Sequence, residues 1–270
     1  MADALQEAVK NAQQGDRPAL EHVIEQIQAK VYGIALRMLW HPEDAKDATQ
    51  EILLRIVTHL GSFRGESSFQ TWVYRIAANH LLGWRKSRLE AQGFTFEMFG
   101  KDLEEGLSDK SDRPDQVLLV QEIRVGCTLG MLLCLDRPHR ITYILGEILE
   151  MSSPEGAAVL GVNQATFRKR LERARTEIVG FMKTRCGLAN PENSCRCGRR
   201  LKRAIELKRV ERENLLFAHD PEDANEFSNV LVNIRKLEET QRAVALFRSH
   251  PKYAVPDFTA AVRNLLGLDE

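Results

Sequence analysis

Apolar side chains recur along most of this chain at spacings of three and four residues, and no run of alternating polarity interrupts them. That periodicity commits the backbone to amphipathic helices rather than a sheet. Gly and Pro cluster at 61–65, 93–114, 186–198 and 251–256, and these breaks divide the chain into blocks. The expected class is all-α: two helical domains joined by a flexible linker, plus a helical C-terminal extension.

The first block predicts helices over 18–40, from 42 to about 60, and over 68–89. Pro42 sits in the first turn of the second, with Glu43 and Asp44 at its positive end. Residues 91–113 hold several acids and glycines with little periodicity and read as a linker. The next block predicts helices over 115–134 and 138–150. A short helix then opens at Ser153-Pro154-Glu155 and closes at Gly161, a left-handed cap. Asn163 can cap a long helix over 164–183. The extension predicts helices over 199–218, 222–249 and 257–266.

Charge narrows the function. With 38 basic and 38 acidic residues in 270 the formal net charge is zero, so any nucleic-acid surface must come from clustering. One basic run holds Arg168, Lys169, Arg170, Arg173 and Arg175; a second extends from Arg196 to Arg212. No stretch is long and apolar enough to span a bilayer. The first residues lack the charged head and apolar core of a signal peptide, so a cytoplasmic setting is expected. There is no nucleotide-binding Gly loop, nucleophile elbow or zinc-protease pattern, so the expectation is not an enzyme.

Three segments carry the functional signal. Residues 153–175 read as short helix, glycine turn and basic second helix, the order of a helix-turn-helix. Gln164, Thr166, Arg168 and Lys169 come early enough to approach base edges or flanking phosphates, whereas Arg173 and Arg175 suit phosphates. Around Asp44, an acidic stripe of Asp44, Asp47 and Glu51 with Gln50 and Arg55 lies opposite an apolar face. Alone, such a stripe is most often solvated surface. In 63–79, aromatic residues interleave with Arg, Gln and Asn around a turn, a composition suited to trapping unpaired bases or to ordinary core packing.

Together these segments resemble the extracytoplasmic-function sigma factors over residues 17–183. The stretch 44–55 is similar to that family's core-polymerase-binding helix, with pattern D-A-x-D-x-x-Q-E. Residues 63–88 resemble its region that recognises and melts the −10 element, and 115–183 its −35-binding region. The resemblance implies domains at 1–90 (core and −10 binding), 91–114 (linker), 115–184 (helix-turn-helix) and 185–270 (extension, with a regulatory role open). It implies core-polymerase binding by Asp44, Asp47, Gln50, Glu51 and Arg55. For DNA it implies Arg64, Ser67, Trp72, Tyr74, Arg75 and Asn79, beside the helix-turn-helix residues already named. The implied partners are RNA polymerase core and promoter DNA, with an anti-sigma protein left open. Gly156 stands where the family usually has an apolar residue, an exchange expected to loosen this domain. The alternative is a stand-alone helix-turn-helix regulator with a metal-binding tail.

No cofactor is required by this reading, but the extension opens with Cys186, Cys195 and Cys197 in a Gly/Pro-containing loop. Three thiols with no evident fourth ligand suit Cu(I), or zinc completed by a residue such as His219. The neighbouring arginines predict lowered thiol pKa values. Cys127 and Cys134 fall in an apolar helical pattern and read as core thiols.

Overall fold

Capping residues set the helix starts. Asp16 accepts from the backbone N–H of Ala19 at 3.0 Å, and the Ser68 hydroxyl accepts from that of Thr71 at 3.1 Å. Ser152 and Glu155 form a reciprocal capping box. The computed structural model describes residues 2–108 and 116–265. Its helices are α1 (Ala2–Gln13), α2 (Arg17–Leu39), α3 (Pro42–His59), α4 (Phe69–Gly83), α5 (Arg88–Ala91), α6 (Phe96–Glu104) and α7 (Val117–Leu133). They continue as α8 (Arg137–Tyr143), α9 (Ser153–Leu160), α10 (Gln164–Arg185), α11 (Cys197–Glu206), α12 (Pro221–Arg235), α13 (Glu239–Arg248) and α14 (Phe258–Leu265). Among the described residues there is no β-strand, and no helix is long and apolar enough to cross a membrane.

The helices form two compact units that do not follow chain order. One gathers α1–α4, α9, the start of α10, and α14. Its centre is the apolar faces of α2, α3 and α4, including Ile34, Leu36, Met38, Ile52, Leu53, Ile56 and Leu81, all fully buried. Here α9 packs on α4, and α14 packs on α2 and α3 through Phe258, whose ring lies 5.9 Å from that of Tyr32. Arg263 pairs with Glu21 at 2.9 Å. The other unit gathers α5–α8, the rest of α10, and α11–α13.

Gly156 does not loosen the helix-turn-helix. It is buried, and a side chain there would collide with the Phe167 ring, itself fully buried. The aromatic ring occupies the volume an apolar side chain would have filled, so the pair conserves packing.

The segment 91–113, read as unstructured linker, contains α6, with α5 ending at its first residue. Phe99 stacks on Phe181 with centroids 5.6 Å apart and planes 9° from parallel. The acids here are partnered by the basic extension: Asp102 accepts from Arg200 at 3.2 Å and from Arg209 at 2.6 Å. Positions 109–114 lie outside the described residues.

Two further expectations change. The helix over 199–218 ends at Glu206, because the following backbone is turned to a buried carboxylate: Glu122 accepts from the N–H groups of Leu216, Phe217 and Ala218 at 2.8, 2.8 and 2.9 Å. The helix over 222–249 is two, α12 and α13, broken at 236–238, where Arg242 Nε donates to the Leu237 carbonyl at 2.8 Å.

Candidate nucleic-acid interface

Part of the acidic stripe of α3 lines a solvent-open groove. Its residues Asp47, Gln50, Glu51 and Arg55 line one wall, and Asn79, His80, Trp84 and Arg85 at the end of α4 line the other, enclosing about 650 Å³. Arg85 bridges the walls, pairing with Asp44 at 2.7 Å and standing 3.9 Å from Asp47. His80 is buried with Nε2 3.6 Å from Glu51. Burial, and then the Arg55 charge, push its pKa down against the opposing pull of Glu51, so the imidazole tends to be neutral. His80 and Arg85 were missed in the sequence because they pack against α3 from another helix.

The aromatic turn divides into support and display. Phe63 lies 5.3 Å from Phe69 and 5.5 Å from Trp72, centroid to centroid, and Phe69 stacks on Trp72 at 5.7 Å. Tyr74 is buried and its hydroxyl accepts from Gln70 at 2.9 Å; burial raises its pKa. Arg64, Arg75 and Asn79 are exposed, whereas Ser67 and Trp72 are half-buried. Arg75 is engaged: Nε and Nη2 donate to the Ala158 carbonyl of α9 at 3.0 and 2.7 Å.

The helix-turn-helix has the expected local geometry. Gly161 closes α9 at φ +63°, and Asn163 caps α10 by accepting from the Thr166 N–H at 2.8 Å. Gln164, Arg168, Lys169 and Arg173 are exposed, and Thr166 is half-buried. Arg175, expected to hold phosphate, instead pairs through Nη2 with Glu147, to which its Nε also donates at 2.9 Å. Gln164, Arg168, Lys169 and Arg173 are thus exposed along this helix, whereas Arg175 is paired with Glu147.

The cysteine loop is more ordered than its Gly/Pro content implied. The backbones of Cys186 and Cys195 run side by side with both thiols free, and the Gly187 N–H donates to the Cys195 carbonyl at 3.1 Å. Any side chain at Gly187 would strike that carbonyl and Arg196. Cys197 opens α11, which packs along α7 with Leu119 and Ile123 against Leu201 and Ala204. His219 is separated from Cys197 by α11 and the irregular segment after it. The lowered thiol pKa values do not appear. Burial pushes Cys186 up and Cys195 up to about 11, and outweighs the opposing pull of arginines such as Arg196. Among the described residues, no three His, Cys, Asp or Glu side chains already stand as a metal coordination sphere.

Residues 23–89 match the Sigma-70 region 2 family. The chain is 31% identical over 163 residues to RNA polymerase sigma factor YlaC of Bacillus subtilis (strain 168), covering 60% of this chain and 91% of that protein. It is 31% identical over 177 residues to the ECF RNA polymerase sigma-E factor of Escherichia coli (strain K12), covering 63% of this chain and 90% of that one. Among solved structures, that of CnrH in complex with the cytosolic domain of CnrY matches with a TM-score of 0.46 and 22% identity, covering 67% of this chain and 97% of that chain.

Proposed function

The chain belongs to the extracytoplasmic-function sigma factors of RNA polymerase, and from that membership we propose how its own residues divide the work of promoter-directed transcription initiation. The observation that carries the proposal is the groove between α3 and α4, which sets an acidic wall beside Asn79 at the end of the aromatic helix. Asp44, Asp47, Gln50, Glu51 and Arg55 bind the polymerase core, because a carboxylate-rich helix face is complementary to a basic partner surface. Arg64, Ser67, Trp72, Tyr74, Arg75 and Asn79 serve the −10 element. Of these, Trp72 and the exposed polar groups take up an unpaired base, while Tyr74 supports the turn from beneath.

In the upstream reader, Gln164, Thr166, Arg168 and Lys169 lie toward base edges and Arg173 toward phosphate. Residues 1–90 and 115–184 are the two promoter-reading domains, and 185–270 is an extension to them. The protein works in the cytoplasm as a subunit of the polymerase and has no chemistry of its own. The test is run-off transcription with core polymerase on a promoter selected from a random library. Promoter-specific transcripts that vanish on charge reversal of α3 support the reading. Binding to DNA with no association with core polymerase would leave the stand-alone regulator in its place.

A further inference from the structure

Four of the five cysteines lie within electrostatic reach of one region of the unit that holds α7 and α11, with Cys186 and Cys195 side by side. Cys127, read from sequence as a core thiol, sits one turn beyond Ile123 on α7, and Cys197 sits one turn before Leu201 on α11. Because Ile123 and Leu201 belong to the same apolar contact between these helices, the next turns bring the two thiols toward each other. Cys127 is in electrostatic reach of Cys186, Cys195 and Cys197 alike. Cys134, on the cap of the same helix, is not grouped with them; its neighbour is Arg140.

The loop is built to hold two of these cysteines side by side. Gly187 is the residue that allows Cys186 and Cys195 to lie side by side, since any side chain there meets the Cys195 carbonyl. Asn193 donates to the carbonyls of Lys183 and Cys186 at 2.9 and 3.2 Å, fixing the loop to the end of α10. Apart from Ala189, the loop contributes no buried apolar side chain. Hydrophobic burial is therefore a weak account of why it holds one shape.

A second observation points to negative charge at the same spot. Arg124 is 3% exposed, yet among the described residues no carboxylate pairs with it. Its Nη1 donates to the Ser249 carbonyl and hydroxyl at 3.2 and 3.1 Å, and its guanidinium lies 3.6 Å from the centre of the Phe227 ring. Its electrostatic partners are Cys197 and Tyr253. A buried cation needs a buried anion, and neutral thiols do not supply one.

We propose that Cys127, Cys186, Cys195 and Cys197 are the four ligands of a structural zinc ion that clamps the extension to α7. Four thiolates around one Zn²⁺ carry a net charge of −2, which gives the buried Arg124 a counter-charge. Among the described residues the thiols do not stand as a coordination sphere; binding requires a change of side-chain rotamer that turns each sulfur toward the metal, and each thiol releases its proton as it binds. A complete set of four sulfur ligands with no open position favours zinc over Cu(I), and a closed, structural role over a catalytic one.

The test uses the full chain and does not involve transcription, so it stands apart from the promoter reading. Protein purified from zinc-replete cells should hold one zinc per chain. Exchange into cobalt(II) should give the absorption of a tetrahedral four-thiolate site. Cys127→Ser should lower zinc affinity at least about tenfold and remove one thiolate from the cobalt spectrum. Cys134→Ser should change neither. Should Cys127→Ser not fold, Cys127→His retains a ligand and should hold zinc with a three-thiolate, one-imidazole spectrum. Zinc-free wild-type protein that also fails to bind added zinc or cobalt would overturn the site. So would a Cys127→Ser or Cys127→His protein with wild-type affinity and an unchanged four-thiolate spectrum.

Discussion

Arg75 on the aromatic helix and Ala158 on the first helix of the helix-turn-helix are joined by two hydrogen bonds to one carbonyl, at 3.0 and 2.7 Å. The donor is charged and the acceptor lies near the end of α9, where carbonyls lack helical partners. An Arg75 held in this way must let go of the Ala158 carbonyl before it contacts promoter DNA. Arg75→Ala should therefore release α9 as well as weaken promoter binding. A cost of about 1 kcal/mol would speed amide exchange in α9 roughly fivefold, read by hydrogen–deuterium exchange on the free protein. Unchanged exchange would mean that the apolar contact of α9 with α4 alone holds that helix.

Reversing charge at Asp47 and Glu51 should weaken association with polymerase core, while circular dichroism stays unchanged. Both side chains are more than half exposed, so the folded chain loses little by the exchange. The measurement is co-purification with core at two salt concentrations, since the lost attraction should matter more at low salt. Equal retention of core by wild type and variant would remove α3 from the interface.

Arg168→Ala and Arg173→Ala should differ in kind. Loss of a base contact from Arg168 should cost about 1–3 kcal/mol and relax sequence preference at one position. Loss of a phosphate contact from Arg173 should weaken all sequences alike and reduce the salt dependence of binding. Arg175→Ala should act through folding, because its guanidinium is spent on Glu147. Titrations of promoter variants at several salt concentrations separate the three.

Glu90 should govern acid stability of its unit. It accepts from Arg137 at 3.0 and 2.9 Å and from Arg140 at 2.9 Å, with all three side chains at most a tenth exposed. Burial acts to raise its pKa, but the Arg137 hydrogen bonds, the Arg140 charge and the Ser87 N–H together hold it down to about 2, against an ordinary 4.5. Its folded pKa being the lower one, the stabilisation is complete above the unfolded value and is lost as pH falls from 4.5 toward 2. The amount at neutral pH is about 3 kcal/mol. Glu90→Gln should remove that acid-dependent portion of the unfolding curve. Glu90→Ala, which strands a buried guanidinium, should destabilise by about 3–5 kcal/mol. Denaturant melts from pH 7 to 3 provide the check.

Gly156→Ala should destabilise the helix-turn-helix even though alanine is the better helix former. The added methyl meets the buried Phe167 ring, and overpacking of this kind costs about 1–3 kcal/mol. Gly156→Ala combined with Phe167→Leu should recover part of the loss. A stabilised single variant in thermal melts would show that the ring has room to move.

The all-α class, the acidic stripe of α3, and the Gly161–Asn163 turn were legible in the chain itself. Each rests on local physics: helical periodicity, a left-handed glycine, a capping side chain that reaches its own helix. Tertiary structure alone decided the relations between residues far apart in sequence. It paired Arg175, expected to hold phosphate, with Glu147, and it paired Asp102 of the expected linker with Arg200 and Arg209. It also set Cys127 within electrostatic reach of Cys186. Helical periodicity marks which side of α7 is buried, but not which helix covers it. That choice is made by packing, where the apolar stripe of α11 meets the face of α7 that carries Leu119 and Ile123.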